Sequence, residues 1–153
     1  MNKAYLIDPH NAEVVEVEIP QDDHVKIQEL IGCSFFTTGG YLDTGDVVFV
    51  DDEGLYTATH FFRMKALNGG MPLAGKGIVL GSDGEGGSAD VKITKADLLN
   101  RVRWVYAMDT NGNVLFDVKA SAQGQAGETA VVRLCNSQRD RPSRPSSSEV
   151  TCE

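Results

Sequence analysis

Cysteine is scarce and scattered: Cys33, Cys135 and Cys152 are the only three in 153 residues. No two of them have the C-x-x-C spacing of a zinc or redox motif, and an odd, dispersed set excludes a disulfide framework. Cys33 follows a glycine beside an apolar run and is expected to act as a small buried hydrophobe, with Cys152 a free thiol near the end. Long apolar runs are also missing. None approaches the roughly 18 residues of a membrane-crossing helix. The start, Met1-Asn2-Lys3-Ala4, lacks the roughly 7–15-residue apolar stretch of a signal peptide, so a cytoplasmic protein is expected. Recognisable catalytic motifs are missing too: there is no G-x-S-x-G nucleophile elbow, no EF-hand loop and no paired His or His/Cys metal spacing.

Positive charge is in deficit. The formal net charge is −8, and residues 1–135 alone hold eleven Lys and Arg against nineteen acids. Residues 136–153 hold three of each and cancel. An acidic body repels phosphate backbones, so direct nucleic-acid binding is not expected. Plain solubility and attraction to a basic partner both remain open.

Hydrophobic residues make up 41% and charged residues 24%, an ordinary globular mix for one domain of this length. Ala4–Ile7 and Val14–Ile19, separated by a turn at Asp8-Pro9, predict an N-terminal hairpin. Asp22 or Asp23 can cap a helix running to Ile31, with Ile27, Leu30 and Ile31 on one face and Gly32 as its stop. Thr37-Thr38-Gly39-Gly40 predicts a flexible loop. Asp46–Val50 is a strong strand, and Asp51-Asp52-Glu53-Gly54 a tight turn into Leu55–Ala58. Phe61–Met64 is ambiguous between helix and strand. Gly77–Gly81 is a buried strand followed by a polar turn, Ser82–Gly87. Thr94 with Asp97 resembles a capping box for a helix over Lys95–Arg101. Val102–Met108 and Val114–Val118 flank Asn111-Gly112, the strongest short hairpin signal. Ala130–Leu134 can add a last strand. The expected fold is α+β: a small mixed or antiparallel sheet with about two helices, a C-terminal hairpin extension, and a disordered tail over 136–153.

Gly70-Met71-Pro72-Leu73-Ala74-Gly75-Lys76 matches seven positions of a phosphate-binding P-loop, but Gly77 stands where Ser or Thr is needed and a strand follows instead of a helix. Gly75, Gly77 and Gly81 miss the dinucleotide spacing. No catalytic, cofactor or metal residues are therefore assigned. The acidic clusters Asp51-Asp52-Glu53 and Asp83, Glu85 and Asp90 read as solvated turn acids rather than oxygen ligands for calcium or magnesium, and Asp51, Asp52, Glu53, Asp83 and Glu85 are candidates for a partner surface. Trp104 and Tyr106 alternate onto one strand face, for core packing or, if exposed, for a partner.

Lys3–Pro9, Ile27–Gly32, Asp51–Gly54, Leu73–Asp83 and Glu85-Gly86 together, in this order, resemble a domain-of-unknown-function family found in phages, plasmids and other mobile elements. The resemblance covers about residues 3–99, and the stretch 102–135 is an extension of the single domain 1–135. It implies a phage or mobile-element origin, a compact α+β fold and a host-cell cytoplasmic location; it implies no catalytic residues. The expectation for function is a non-enzymatic accessory protein that binds a basic host protein, such as an acidic inhibitor of a host defence complex. The alternatives are a small enzyme built from Asp8, His60 and the Asp83–Glu85 turn, and a structural module that self-associates through its hairpin.

Overall fold

Strand β1 (Asn2–Asp8) pairs antiparallel with β2 (Glu13–Ile19), from Asn2↔Ile19 to Asp8↔Glu13. The computed structural model describes residues 1–54, 59–65, 67–120 and 132–134. The buried Asp8 carboxylate organises the hairpin turn by accepting from the backbone N–H of His10 at 3.0 Å and of Asn11 at 3.2 Å. This is an Asx turn, in which a side chain imitates a backbone acceptor.

Helix α1 (His24–Ile31) starts at Asp23, whose side chain accepts from Lys26 N–H at 3.0 Å. It stops at Gly32, which takes a left-handed φ of 81° that a side chain would strain. Strands β3 (Phe36–Tyr41) and β4 (Val47–Asp51) follow, then β5 (Phe61–Met64), the short β6 (Leu73–Ala74), β7 (Gly77–Ser82) and β8 (Ser88–Ala89). Helix α2 (Lys95–Arg101) is capped by Thr94, whose hydroxyl accepts from Asp97 N–H at 3.1 Å. It leads directly into β9 (Val102–Asp109), β10 (Val114–Lys119) and β11 (Val132–Leu134).

The strands make two sheets where one was expected. The first has the order β2-β1-β7-β4-β3, with β8 attached to β7. The second has the order β10-β9-β5-β6, antiparallel apart from β11, which runs parallel to β9. Among the described residues two α-helices and two largely antiparallel sheets make the fold α+β. The flexible loop predicted at Thr37–Gly40 is instead the body of β3, with an irregularity between Thr38 and Gly40. Its glycines serve close packing: a Cβ on Gly39 would touch Val50 and Leu73, and one on Gly40 would meet Leu67 at 2.5 Å. Val132–Leu134 of the expected last strand form β11, whereas Leu55–Ala58, Ala130, Val131, Cys135, Cys152 and the tail after 135 lie outside the described residues.

Strands β1, β4 and β7 are apolar on both faces because both are covered. One face packs against α1 through Ala4, Val47, Ile78, Leu80, Ile27 and Ile31. The other faces the second sheet, where Tyr5, Ile7, Val48 and Val79 meet Phe62, Met64, Val102 and Trp104. Helix α2 closes this interior with Leu98 and Leu99. The layers therefore run α1, first sheet, second sheet. The segment after residue 102 shares the main core, since Trp104 and Val102 are fully buried in it. Gly77 is the space that lets the Phe62 ring cross: a Cβ there would lie 2.8 Å from Phe62 Cζ.

Candidate binding cleft beside helix α1

The chain approaches α1 through Asp22, held at a positive φ of 52°. Asparagine and aspartate tolerate that region because a short polar side chain can hydrogen-bond locally. Asp22 Oδ1 accepts from Ser88 N–H at 3.0 Å and from the Ser88 hydroxyl at 3.2 Å, while Asp22 N–H donates to Ser88 Oγ at 3.0 Å. Gln21 Nε2 donates to the Ser88 carbonyl at 2.8 Å. The N-terminal approach to α1 is thus stitched to β8. Between them lies a cleft of about 140 Å³, floored by Ile27, Val47, Phe49 and Leu80 and rimmed by Asp22, Asp23, His24, Tyr41, Ser82 and Ser88. His24 stands edge-on to Phe36, ring centres 5.8 Å apart, and Phe36 edge-on to Phe49 at 5.1 Å. Tyr41 is 65% exposed beside this apolar floor.

The β7–β8 turn forms one wall. Asp83 Oδ1 accepts from Glu85 N–H at 2.7 Å and Gly87 N–H at 2.9 Å. Hydrogen bonds to a carboxylate favour its charged form. The backbone N–H of Ser88 accordingly holds the Asp22 carboxyl below its usual range, and the N–H groups of Glu85 and Gly87 do the same for Asp83. The Asp22 charge opposes the shift at Asp83, which places the two carboxylates in one electrostatic neighbourhood. Asp22 on the rim and Asp83 in the adjoining turn therefore stay charged at neutral pH.

A depressed carboxyl pKa adds stability that is present above the unfolded value, near 4, and is lost as pH falls through the lower folded value. Amide protection at Gly87 and Ser88 is therefore expected to be flat from pH 7 to about 4 and to fall below it. Asp83→Asn should remove the Gly87 part of that fall in hydrogen-exchange measurements. Equal protection at pH 3 and pH 7 would contradict the assignment.

The expected partner surface is not one surface. Asp83 and Glu85 are exposed at the cleft end of the first sheet, whereas Asp51, Asp52 and Glu53 lie at the opposite end of β4. Trp104 is fully buried, so core packing, one of its two readings, is its role; Tyr106 is half-buried and tilts against Phe116 at 5.9 Å. The groups considered for an enzyme, Asp8, His60 and the Asp83–Glu85 turn, do not all converge. Asp8 sits in the β1–β2 turn, and β7 runs antiparallel to β1, so Asp83 and Glu85 emerge at the other end. Seven residues of β1 put roughly 20 Å between the two ends.

His60 does come near Asp8 through a neighbour the sequence did not indicate: His10 Nδ1 and His60 Nδ1 are 3.4 Å apart, their rings edge-on at 4.4 Å. Thr59 Oγ1 is 2.7 Å from His60 Nδ1. Fifty positions separate these histidines, and no local pattern announces the pair. Among the described residues no group of three His, Cys, Asp or Glu side chains is placed to hold a metal ion. Lys76 is followed by β7 and not by a helix, as the departure from the P-loop pattern implied. Cys33 is half-buried rather than enclosed; burial pushes its thiol pKa up, and the Asp51 charge adds to the shift. No described helix is long and apolar enough to cross a membrane.

Of the cleft residues, Asp22 and Asp23 were legible only as helix caps. Tyr41, Phe49 and Ser88 carried no signal, because their meeting depends on how β3, β4 and β8 are ordered. Residues 1–102 match a family described as a domain of unknown function, DUF3846. No curated protein and no solved structure matches the chain.

Proposed function

The chain belongs to the DUF3846 family, and from that premise we propose that it is a non-enzymatic binding protein that seats a basic side chain of a partner protein in the cleft beside α1. The observation that carries this is the pairing of an apolar floor with an anionic rim. Lysine and arginine have that same division, a methylene stem with a charged head. The stem would lie on Phe49, Ile27 and Tyr41, and the head would meet Asp22 and Asp23. The net charge of −8 supports the reading at longer range, since complementary fields speed encounter with a basic surface. A phage or mobile-element accessory protein that occupies the nucleic-acid channel of a host defence complex would gain from carrying the charge sign of DNA. The separation of Asp8 and His60 from Asp83 and Glu85 supports binding over catalysis at those residues.

Affinity capture from host lysate tests it, run at about 50 and about 300 mM salt, a range that screens exposed charges progressively. A basic, nucleic-acid-handling protein should be recovered at low salt and lost at high salt. Tyr41→Ala should reduce recovery about tenfold, as expected for an exposed aromatic anchor. An empty capture, or one indifferent to Tyr41→Ala, would sink the proposal. A second reading, self-association through the β9–β10 hairpin, is favoured by Leu115 and Phe116, 51% and 58% exposed on β10, an edge strand among the described residues. A strict monomer in light scattering would remove it.

A further inference from the structure

On the face of the second sheet that points away from the first, Phe61 and Val105 lie in a buried apolar cluster, and the end of that face beside them is cationic. Strand alternation sends Phe62, Met64, Val102 and Trp104 into the core and leaves Arg63 and Arg103 outside. The register sets Arg63 directly opposite Arg103, and Arg103 directly opposite Lys119. Three cations thus stand in a row across β5, β9 and β10. Like charges opposite one another on a sheet are destabilising, so the row needs compensation. Among the described residues both arginines share a single carboxylate: Arg63 Nε lies 2.7 Å from Asp117 Oδ2 and Arg103 Nε 2.9 Å from Asp117 Oδ1. One negative charge leaves the pair a full positive charge in excess.

The geometry of those two contacts leaves the guanidinium tips available. Each arginine engages Asp117 through Nε. Arg63 Nη1 reaches the Gly70 carbonyl only at 3.5 Å, and the terminal nitrogens of Arg103 carry no hydrogen bond among the described residues. Asp117 is nearly buried, at 9% side-chain exposure, and fixes both stems, while the arginines keep 34% and 42% exposure. Arg63, Arg103 and Lys65 line a concavity of about 440 Å³ together with Met64, Gly69 and Gly70. That volume lies within the range of small-ligand sites, roughly 300–1,000 Å³.

We propose that this concavity binds the phosphate group of a small molecule. Two planar guanidinium forks held by a common carboxylate match the oxygens of a phosphate, and Lys65 adds a point charge. A phosphate dianion would complete the neutralisation that Asp117 begins. The chemistry is that of inorganic phosphate or a phosphomonoester, and the site is independent of the cleft beside α1.

The test is an NMR titration of the full chain, following the arginine Nε–Hε signals, with inorganic phosphate in one arm and a nucleoside monophosphate in the other. Saturable shifts of Arg63 and Arg103 are the expected result. Phosphate alone sufficing would identify the free anion as ligand, and at least tenfold tighter monophosphate binding would identify a phosphomonoester. Arg103→Gln should weaken binding about tenfold, the loss expected for one charge-assisted fork. If that variant does not fold, Lys65→Gln, an exposed change, should still weaken binding several-fold. No saturable shift with either probe, affinity unchanged in both variants, or binding of duplex DNA without either small probe would each overturn the proposal.

Discussion

Asp46→Ala should lower the unfolding free energy by about 3–5 kcal/mol, the loss expected when two backbone N–H groups and a hydroxyl are left without their buried acceptor. Asp46 is fully buried. Its carboxylate accepts from the Thr44 hydroxyl at 2.6 Å, from Lys92 N–H at 2.8 Å and from Ile93 N–H at 2.9 Å. Replacing a buried ionic group with an apolar one is sometimes harmless, provided its partners go with it. Here the partners include backbone N–H groups, which cannot be removed. Alanine would leave Ile93 N–H orphaned in the core beside Val91 and Leu98. Asp46→Asn keeps the shape and one acceptor, so about half the loss is expected, since one amide hydrogen would face a donor. Urea unfolding decides it: the midpoint should fall without a change in slope. A loss under about 1 kcal/mol for the alanine variant would mean that the segment 91–93 is held by packing alone.

Gly81→Ala is the second large effect. Gly81 lies in β7 opposite Ala89. A Cβ there would overlap the Asp90 carbonyl oxygen and stand 2.7 Å from the Asp90 carbonyl carbon and 2.9 Å from Ala89 O. All three are backbone atoms, which cannot rotate aside as a side chain can. The strands must therefore part, and a loss of about 3 kcal/mol, at the top of the usual range for overpacking, is expected. The separation would also pull Ser88 from Asp22, so hydrogen exchange at Ser88 should quicken and the cleft should lose its wall. Gly84→Ala is the control. Gly84 has open space around it at a φ of 86°, so only backbone strain of about 1–2 kcal/mol applies. Equal effects from the two variants would show that the close approach at Gly81 is relaxed in solution.

Local structure was legible where a local cause decided it. Asp23 and Gly32 bound α1 as caps, Thr94 starts α2, and Asn111-Gly112 turns β9 into β10. What escaped was set by partners distant in sequence. Gly39 and Gly40 look like a loosened chain until Leu67 and Leu73 are placed against them. Alternation in β5 and β9 could not say that Phe62 and Trp104 belong to a second sheet, because period-two patterning fixes a face and not the layer that covers it. The cleft and the arginine row share that origin. Tyr41 meets Asp22 only through the order of strands, and Arg63 meets Arg103 only through register across 40 positions.

The family match stops at residue 102, which is also the first residue of β9. Its boundary therefore falls inside the fold. Up to that residue the chain supplies the first sheet, both helices and only β5 and β6 of the second sheet. Taken alone, that stretch is an unfinished interior: Phe62 lacks Trp104 across from it, and β5 becomes an open edge from Phe61 to Met64. Such an edge is a template for whatever strand arrives. In this protein the chain's own β9 occupies that edge. The interior that the matched region begins is thus completed by sequence outside it, with β9 both filling the core and closing the edge of β5.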